Sequence, residues 1–165
     1  MERFLIQQAD KNERDKIFAL YRQVVTTPSL SGYSGWCEEY PTLDILEGDL
    51  KDGIVLAAWD GQELIGAVSL LPEDHMDCFE VQWTGEKACM LARLCIAPGW
   101  QGKGLGARLA EEALGYAREQ GYLSIRLLAA TENHAAVAIY QKQSYRQVGR
   151  VFAYGEHFFC MEKII

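Results

Sequence analysis

Glycines at 102, 104 and 106, interleaved with Lys103 and Leu105 and flanked by Gln101, Ala107 and Arg108, form the stretch of this chain best suited to hold an anion. They follow the apolar run Leu91 to Ala97 and a Pro98-Gly99 turn, and they precede residues with helical spacing. The first turn of a helix presents amides without internal partners and the positive end of the macrodipole. An anion placed there satisfies both, and glycines remove the side chains that would keep a diphosphate away. The corner therefore reads as a phosphate-binding helix entrance. Gly102-x-Gly104-x-x-Ala107 also fits a loose dinucleotide fingerprint, and Gly102-Lys103 is P-loop-like. Spacing weighs against both. Gly99 and Gly102 enclose only Trp100 and Gln101, no Ser or Thr follows Lys103, and Pro98 to Gln101 separate the strand from the glycines.

The elements that must position this corner are legible in outline. Arg3 to Gln7 reads as a strand, and Asp10 caps a helix to about Val24 with Ile17, Leu20, Tyr21 and Val24 on one face. Thr26 to Pro41 lacks a period and reads as an aromatic-bearing loop. Thr42 caps a second helix with Leu43, Leu46 and Leu50 at helical spacing, closed by Asp52-Gly53. Ile54 to Trp59 and Glu63 to Leu71 are strands joined by the hairpin signal Asp60-Gly61. Pro72 to Lys87 reads as a polar loop with an irregular strand at Glu80 to Trp83, and Ala88 to Ala97 is the next strand. Lys103 to Gln120 carries the stripe Leu109, Ala110, Ala113, Leu114, Ala117, ended by Gly121. Tyr122 to Ala130 is a strand, Asn133 caps a helix to about Gln143, and strands Arg146 to Tyr154 and His157 to Ile164 complete the chain. Helices alternating with strands before a terminal hairpin give an α/β class with a mixed, largely antiparallel sheet.

With 165 residues, 49% hydrophobic and 24% charged, residues 1–165 are expected to form one domain. No apolar run approaches a membrane span, and the N-terminus has no signal-like pattern, so a cytoplasmic protein without membrane attachment is expected. A net charge of −7 disfavours nucleic acid and favours a cationic partner. Cysteines at 37, 78, 89, 95 and 160 have neither disulfide-framework nor zinc spacing, so no metal is expected; Cys95 and Cys160 read as buried thiols.

Gln101-x-x-Gly104-x-Gly106 after a strand and a Pro-containing turn resembles the acyl-coenzyme A pyrophosphate loop of the GNAT superfamily of N-acetyltransferases. Arg93-Leu94-Cys95-Ile96-Ala97-Pro98 before it sharpens the likeness. So does Asn133-x-x-Ala136-x-x-x-Tyr140-x-x-x-Ser144-Tyr145, where Ser144 stands at the family's usual Gly. The resemblance spans essentially the whole chain and implies a GNAT fold, with a six- to seven-stranded sheet and about four helices. It also implies acetyl-CoA as co-substrate and transfer of the acetyl group to a primary amine in a ternary complex. Leu94, Cys95 and Ile96 then meet the pantetheine arm, and the amides of Gln101, Gly102, Lys103, Gly104, Leu105, Gly106 and Ala107 bind the pyrophosphate. Asn133 bonds the arm or simply caps its helix, and Tyr140 is the general acid beside the sulfur.

The family's frequent strand glutamate falls at Met90, which cannot take a proton. Candidate bases are Glu39, His75, Glu80, Glu86 or a water chain. Acceptor recognition is assigned to Tyr33, Trp36, Glu38, Glu39 and Tyr40, to Pro72 through Trp83, and to the hairpin near Tyr154 to His157, where rings and carboxylates suit a small cationic amine. Protein N-termini or lysines remain alternative acceptors, as does a coenzyme-binding module without turnover. The edge strands and C-terminal hairpin are compatible with a homodimer.

Overall fold

The structure, a computed structural model, describes residues 4–27, 36–72 and 81–165. Arg3, Tyr33, His75, Cys78 and Glu80, with the expectations placed on them, lie outside the described residues. The elements run β1 (Leu5–Gln8), α1 (Arg14–Thr26), α2 (Leu43–Asp52), β2 (Ile54–Asp60), β3 (Glu63–Leu71), β4 (Ala88–Ile96), α3 (Leu105–Glu119), β5 (Ser124–Ala130), α4 (His134–Lys142), β6 (Arg146–Ala153) and β7 (Glu156–Ile164). Together the strands form one seven-stranded sheet in the order β1-β2-β3-β4-β5-β7-β6. Among the described strands β4 and β5 are parallel, and the other neighbouring pairs are antiparallel.

Local chemistry explains most boundaries. Asp10 makes a capping box with Glu13, but the turn it starts is a single 3-10 turn, and α1 begins at Arg14. Thr42 accepts from the Ile45 amide and opens α2 as expected. The third helix begins at Leu105 rather than Lys103, because Gly104 takes φ 85° and stands outside the helix as its N-cap. Its buried face includes Leu105, Leu109, Ala110, Ala113 and Ala117, while Leu114 is only partly buried.

Strands β2 and β3 are buried along nearly their whole length, because helices cover both sides of the sheet. A side chain at Gly66 would strike Leu105 and Leu109 of α3. Ser69, three residues further along β3, instead donates to Asp49 of α2. Side chains alternate along a strand, so α2 and α3 lie on opposite faces.

Candidate active site

The glycine corner is an exposed helix mouth. Trp100 and Ala97 close a 3-10 turn, and the Gln101 side chain donates from Nε2 to the Ile96 carbonyl at 3.1 Å, stapling the turn to the end of β4. The Gln101 amide leans on Pro98 O at 3.5 Å, so this residue positions the loop from inside it. Beyond it, the amides of Gly102 through Ala107 donate to no backbone carbonyl among the described residues. The first bond of α3 runs from the Arg108 amide to Gly104 O at 3.2 Å. Gly102 and Gly104 hold φ of 74° and 85°, and a side chain at either would meet no protein atom within 4 Å. Their glycines serve the backbone conformation and leave the mouth open. Gly106 serves a different end. It is buried, and a Cβ there would lie 3.0 Å from Ile139 Cδ1, so its smallness lets α4 pack against α3. The Lys103 ammonium lies over the Trp100 ring at 5.4 Å, and the Arg108 guanidinium faces the Phe4 ring at 5.9 Å and Glu112 at 3.4 Å. Two cations therefore flank the mouth.

Strands β4 and β5 are paired only from Ala88–Ser124 to Met90–Arg126. Beyond that rung β4 keeps its ladder to β3 alone, while β5 continues to Ala130 beside β7. The divergence opens a cleft of about 110 Å³, lined by Leu91, Ala92, Arg93 and Leu94 from β4 and by Leu128 to Ala130 from β5. Asn133, Ala136 and Tyr140 close one side, and Trp36 and Phe158 also line it. Spacings of three and seven place Asn133, Ala136 and Tyr140 on one face of α4, which is the physical content of the Asn-x-x-Ala-x-x-x-Tyr pattern. Cys95 and Ile96 are buried beside the cleft, paired with Ala67 and Gly66 of β3.

Asn133 caps α4 through Oδ1, which accepts from the Ala136 amide at 3.1 Å, so the cap and a place in the cleft coexist; Nδ2 is left as a donor. Tyr140 is 6% exposed, stacks edge-on against Tyr145 at 5.4 Å, and its hydroxyl makes no hydrogen bond among the described residues. Burial pushes its pKa above the ordinary tyrosine value, because a phenolate there would be poorly solvated. The hydroxyl therefore stays protonated at neutral pH. Burial raises Cys89 to about 12 and Cys160 to about 11, and lifts Cys95 further still. These thiols are packing residues without nucleophilic character.

Met90 is half-buried at the last rung, and among the described residues no carboxylate lines the cleft. Glu39 and Glu86 are exposed. Trp36 both covers α1, meeting Tyr21 edge-on at 5.3 Å, and forms a wall of the cleft. Its segment is anchored by Arg22, which donates to the carbonyls of Glu38 at 2.7 Å and Pro41 at 2.8 Å. In the C-terminal hairpin, Tyr154 meets Phe158 edge-on at 6.3 Å and is 81% exposed, so an aromatic path leads from solvent to the cleft.

Sequence reasoning missed one cluster. Arg93 sits in a bulge of β4 at φ 54° and forms a bidentate pair with Asp49, Nε–Oδ2 2.7 Å and Nη2–Oδ1 2.5 Å. Burial opposes the charge on Arg93, but hydrogen bonding and attraction to Asp49, with help from Tyr40, leave its pKa raised. Nothing in the local pattern of either residue announces a partner so far along the chain.

A helix mouth with unclaimed amides leads to a cleft between parting parallel strands and a buried phenol, a shape suited to a long carrier with a diphosphate at one end. The family model described as "Acetyltransferase (GNAT) family" matches residues 19–145, and the chain belongs to that family. It is similar to rat N-acetyltransferase family 8 member 2, 26% identical over 137 residues that cover 82% of this chain and 58% of that protein. This chain thus spans little more than half of that relative. An uncharacterised N-acetyltransferase from Archaeoglobus fulgidus is 28% identical over 142 residues, 86% of this chain and 92% of that one. In fold, a GNAT-family acetyltransferase from Streptococcus agalactiae superposes with a TM-score of 0.78 at 20% identity, covering 98% and 95% of the two chains. PaiA N-acetyltransferase from Thermoplasma acidophilum, solved with coenzyme A, superposes with a TM-score of 0.73 at 19% identity over 100% of both.

Proposed function

We propose that the protein is an N-acetyltransferase that moves the acetyl group of acetyl-CoA directly to a primary amine, most suitably a small cationic one. The observation that carries this reading is the continuity of the α3 mouth, the β4–β5 cleft and Tyr140. The residues present suit the co-substrate. Amides of Gly102 to Ala107 receive the diphosphate, with Lys103 and Arg108 adding charge-assisted contacts. The cleft-facing backbone of β4 and the Asn133 amide align the extended arm. When bound, acetyl-CoA supplies the activated acetyl group.

Backbone N–H groups of β4 near Ile96 polarise the carbonyl as negative charge develops on its oxygen. Tyr140 holds the proton that the departing sulfur takes up. None of the described residues lining the cleft is a carboxylate, and in this reading the amine's proton leaves to solvent at the open side, past Trp36. The exposed carboxylates of Glu38 and Glu39, next to Trp36 and Tyr40, favour a cationic acceptor in the approach to the cleft. A thiol-release assay over polyamines, aminoglycoside-like amines, lysine peptides and free peptide N-termini tests this. Turnover on the small amines is expected; turnover on peptides alone would overturn the acceptor class, and acetyl-CoA binding without turnover on any acceptor would favour a binding module.

A further inference from the structure

Ala67 pairs with Cys95 and Ser69 with Ala92, so β4 uses one more residue than β3 between these rungs, and Arg93 occupies the bulge in the left-handed region. A bulge bends its strand and re-aims the residues beyond it. This one lies just past Met90, where the ladder to β5 ends. That backbone is costly for an arginine, and contacts around it must offset the cost. What holds it is Asp49, 5% exposed on α2, whose two oxygens take the fork of the guanidinium while Ser69 Oγ donates to Oδ2 at 2.7 Å. The third guanidinium nitrogen, Nη1, donates to the Tyr40 hydroxyl at 3.2 Å, and the Tyr40 ring meets Trp36 edge-on at 6.4 Å. One carboxylate thereby fixes both walls of the cleft.

We propose that Asp49 is a positioning residue for acetyl transfer: through Arg93 it locks the bulge that turns β4 away from β5, and through Tyr40 it sets the Trp36 wall facing the opened strand. The inference rests on the reading of the cleft as the acetyl-CoA site. Asp49 touches no reactant; it fixes the strand backbone that aligns the coenzyme arm. A lysine in place of Arg93 would keep the charge and lose the fork, whereas a glycine would take the left-handed conformation with no holding at all.

The test compares wild type, Asp49→Asn, Arg93→Lys and the double variant Asp49→Asn/Arg93→Gly as full chains. The readouts are titration calorimetry with acetyl-CoA, thermal melting, and steady-state kinetics separating kcat from KM. Asp49→Asn and Arg93→Lys are each expected to bind acetyl-CoA about tenfold more weakly, as misplacement predicts. The double variant, with no orphaned charge and a glycine suited to the left-handed backbone, is expected to recover most of the lost affinity, to about threefold below wild type, the remainder being the Tyr40 contact that Nη1 no longer makes. Folded single variants with wild-type affinity, or a double variant as weak as the singles, would overturn the proposal. Should Asp49→Asn fail to fold, Arg93→Lys, which keeps both charges buried together, carries the same comparison. A wild type that does not bind acetyl-CoA removes the coenzyme reading itself, an outcome distinct from loss in the variants alone.

Discussion

Met90 of β4 and Arg126 of β5 form the last rung between the two strands that run parallel among the described ones. Everything proposed for the site lies on the open side of that rung, where the strands part and α3 and α4 present their N-terminal ends and one face. Four consequences can be measured.

Replacing Gly104 by Val should weaken acetyl-CoA binding by at least about a hundredfold. The residue holds φ 85°, which a branched side chain resists, and the new methyl groups would project into the open mouth. Gly99→Ala is the control, since a Cβ there meets nothing and its backbone is not left-handed. Calorimetric titration of both folded variants decides the matter; equal affinities would take the loop out of the site.

Tyr140→Phe should lower kcat by about a hundredfold or more while coenzyme affinity and melting temperature stay close to wild type. The hydroxyl has no hydrogen-bond partner among the described residues, so its removal orphans nothing. The direction of the pKa shift sets the pH profile. Because the pKa of Tyr140 is raised, its proton is retained through neutral and mildly alkaline pH, and the rate should climb as the amine loses its own proton. An alkaline fall below about pH 9 that disappears in Tyr140→Phe would contradict the assignment.

Ser144→Gly should stabilise the fold by about 0.5–1 kcal/mol. Ser144 holds φ 68° just past α4, with its own amide bonded to Gln141 O at 3.1 Å and the Tyr145 amide to Tyr140 O at 2.9 Å. That pair of bonds is a Schellman ending, where a residue without Cβ is favoured. A rise in melting temperature of about 1–4 °C, with unchanged turnover, is expected; a fall would mean that the serine side chain has a role of its own.

Glu162→Gln should destabilise the protein by about 1–3 kcal/mol at neutral pH. The carboxylate is 1% exposed on β7, where it accepts from the Thr84 and Gly85 amides and the Thr84 hydroxyl, with Arg146 3.6 Å away. Burial alone would raise its pKa, but these hydrogen bonds and the charge on Arg126 bring it below the ordinary value. Its contribution is therefore present above the unfolded pKa of about 4.3 and is lost as pH falls through the folded pKa. Chemical denaturation should show the gap between variant and wild type closing below about pH 4; a gap independent of pH would remove the charge from the explanation.

The local half of this protein was legible in its sequence. Asp60-Gly61 makes its hairpin between β2 and β3, Thr42 and Asn133 cap their helices, and the α3 stripe buries except for the partly buried Leu114. Gly102 and Gly104 supply the positive φ of an open helix mouth. Each of these depends on a residue's own dihedral preferences or on neighbours a few positions away, which sequence displays directly. The start of α3 shifted to Leu105 because the positive φ of Gly104 ends helical geometry on its N-terminal side. The depth of the cleft, the bulge at Arg93, its capture by Asp49, and the clamp of Glu162 on Thr84 and Gly85 belong to tertiary structure alone. They join segments tens of residues apart, and a lone arginine or glutamate has the same pattern whether solvated or paired; only the packing of α2 onto β4, and of residues 84 and 85 onto β7, decides which.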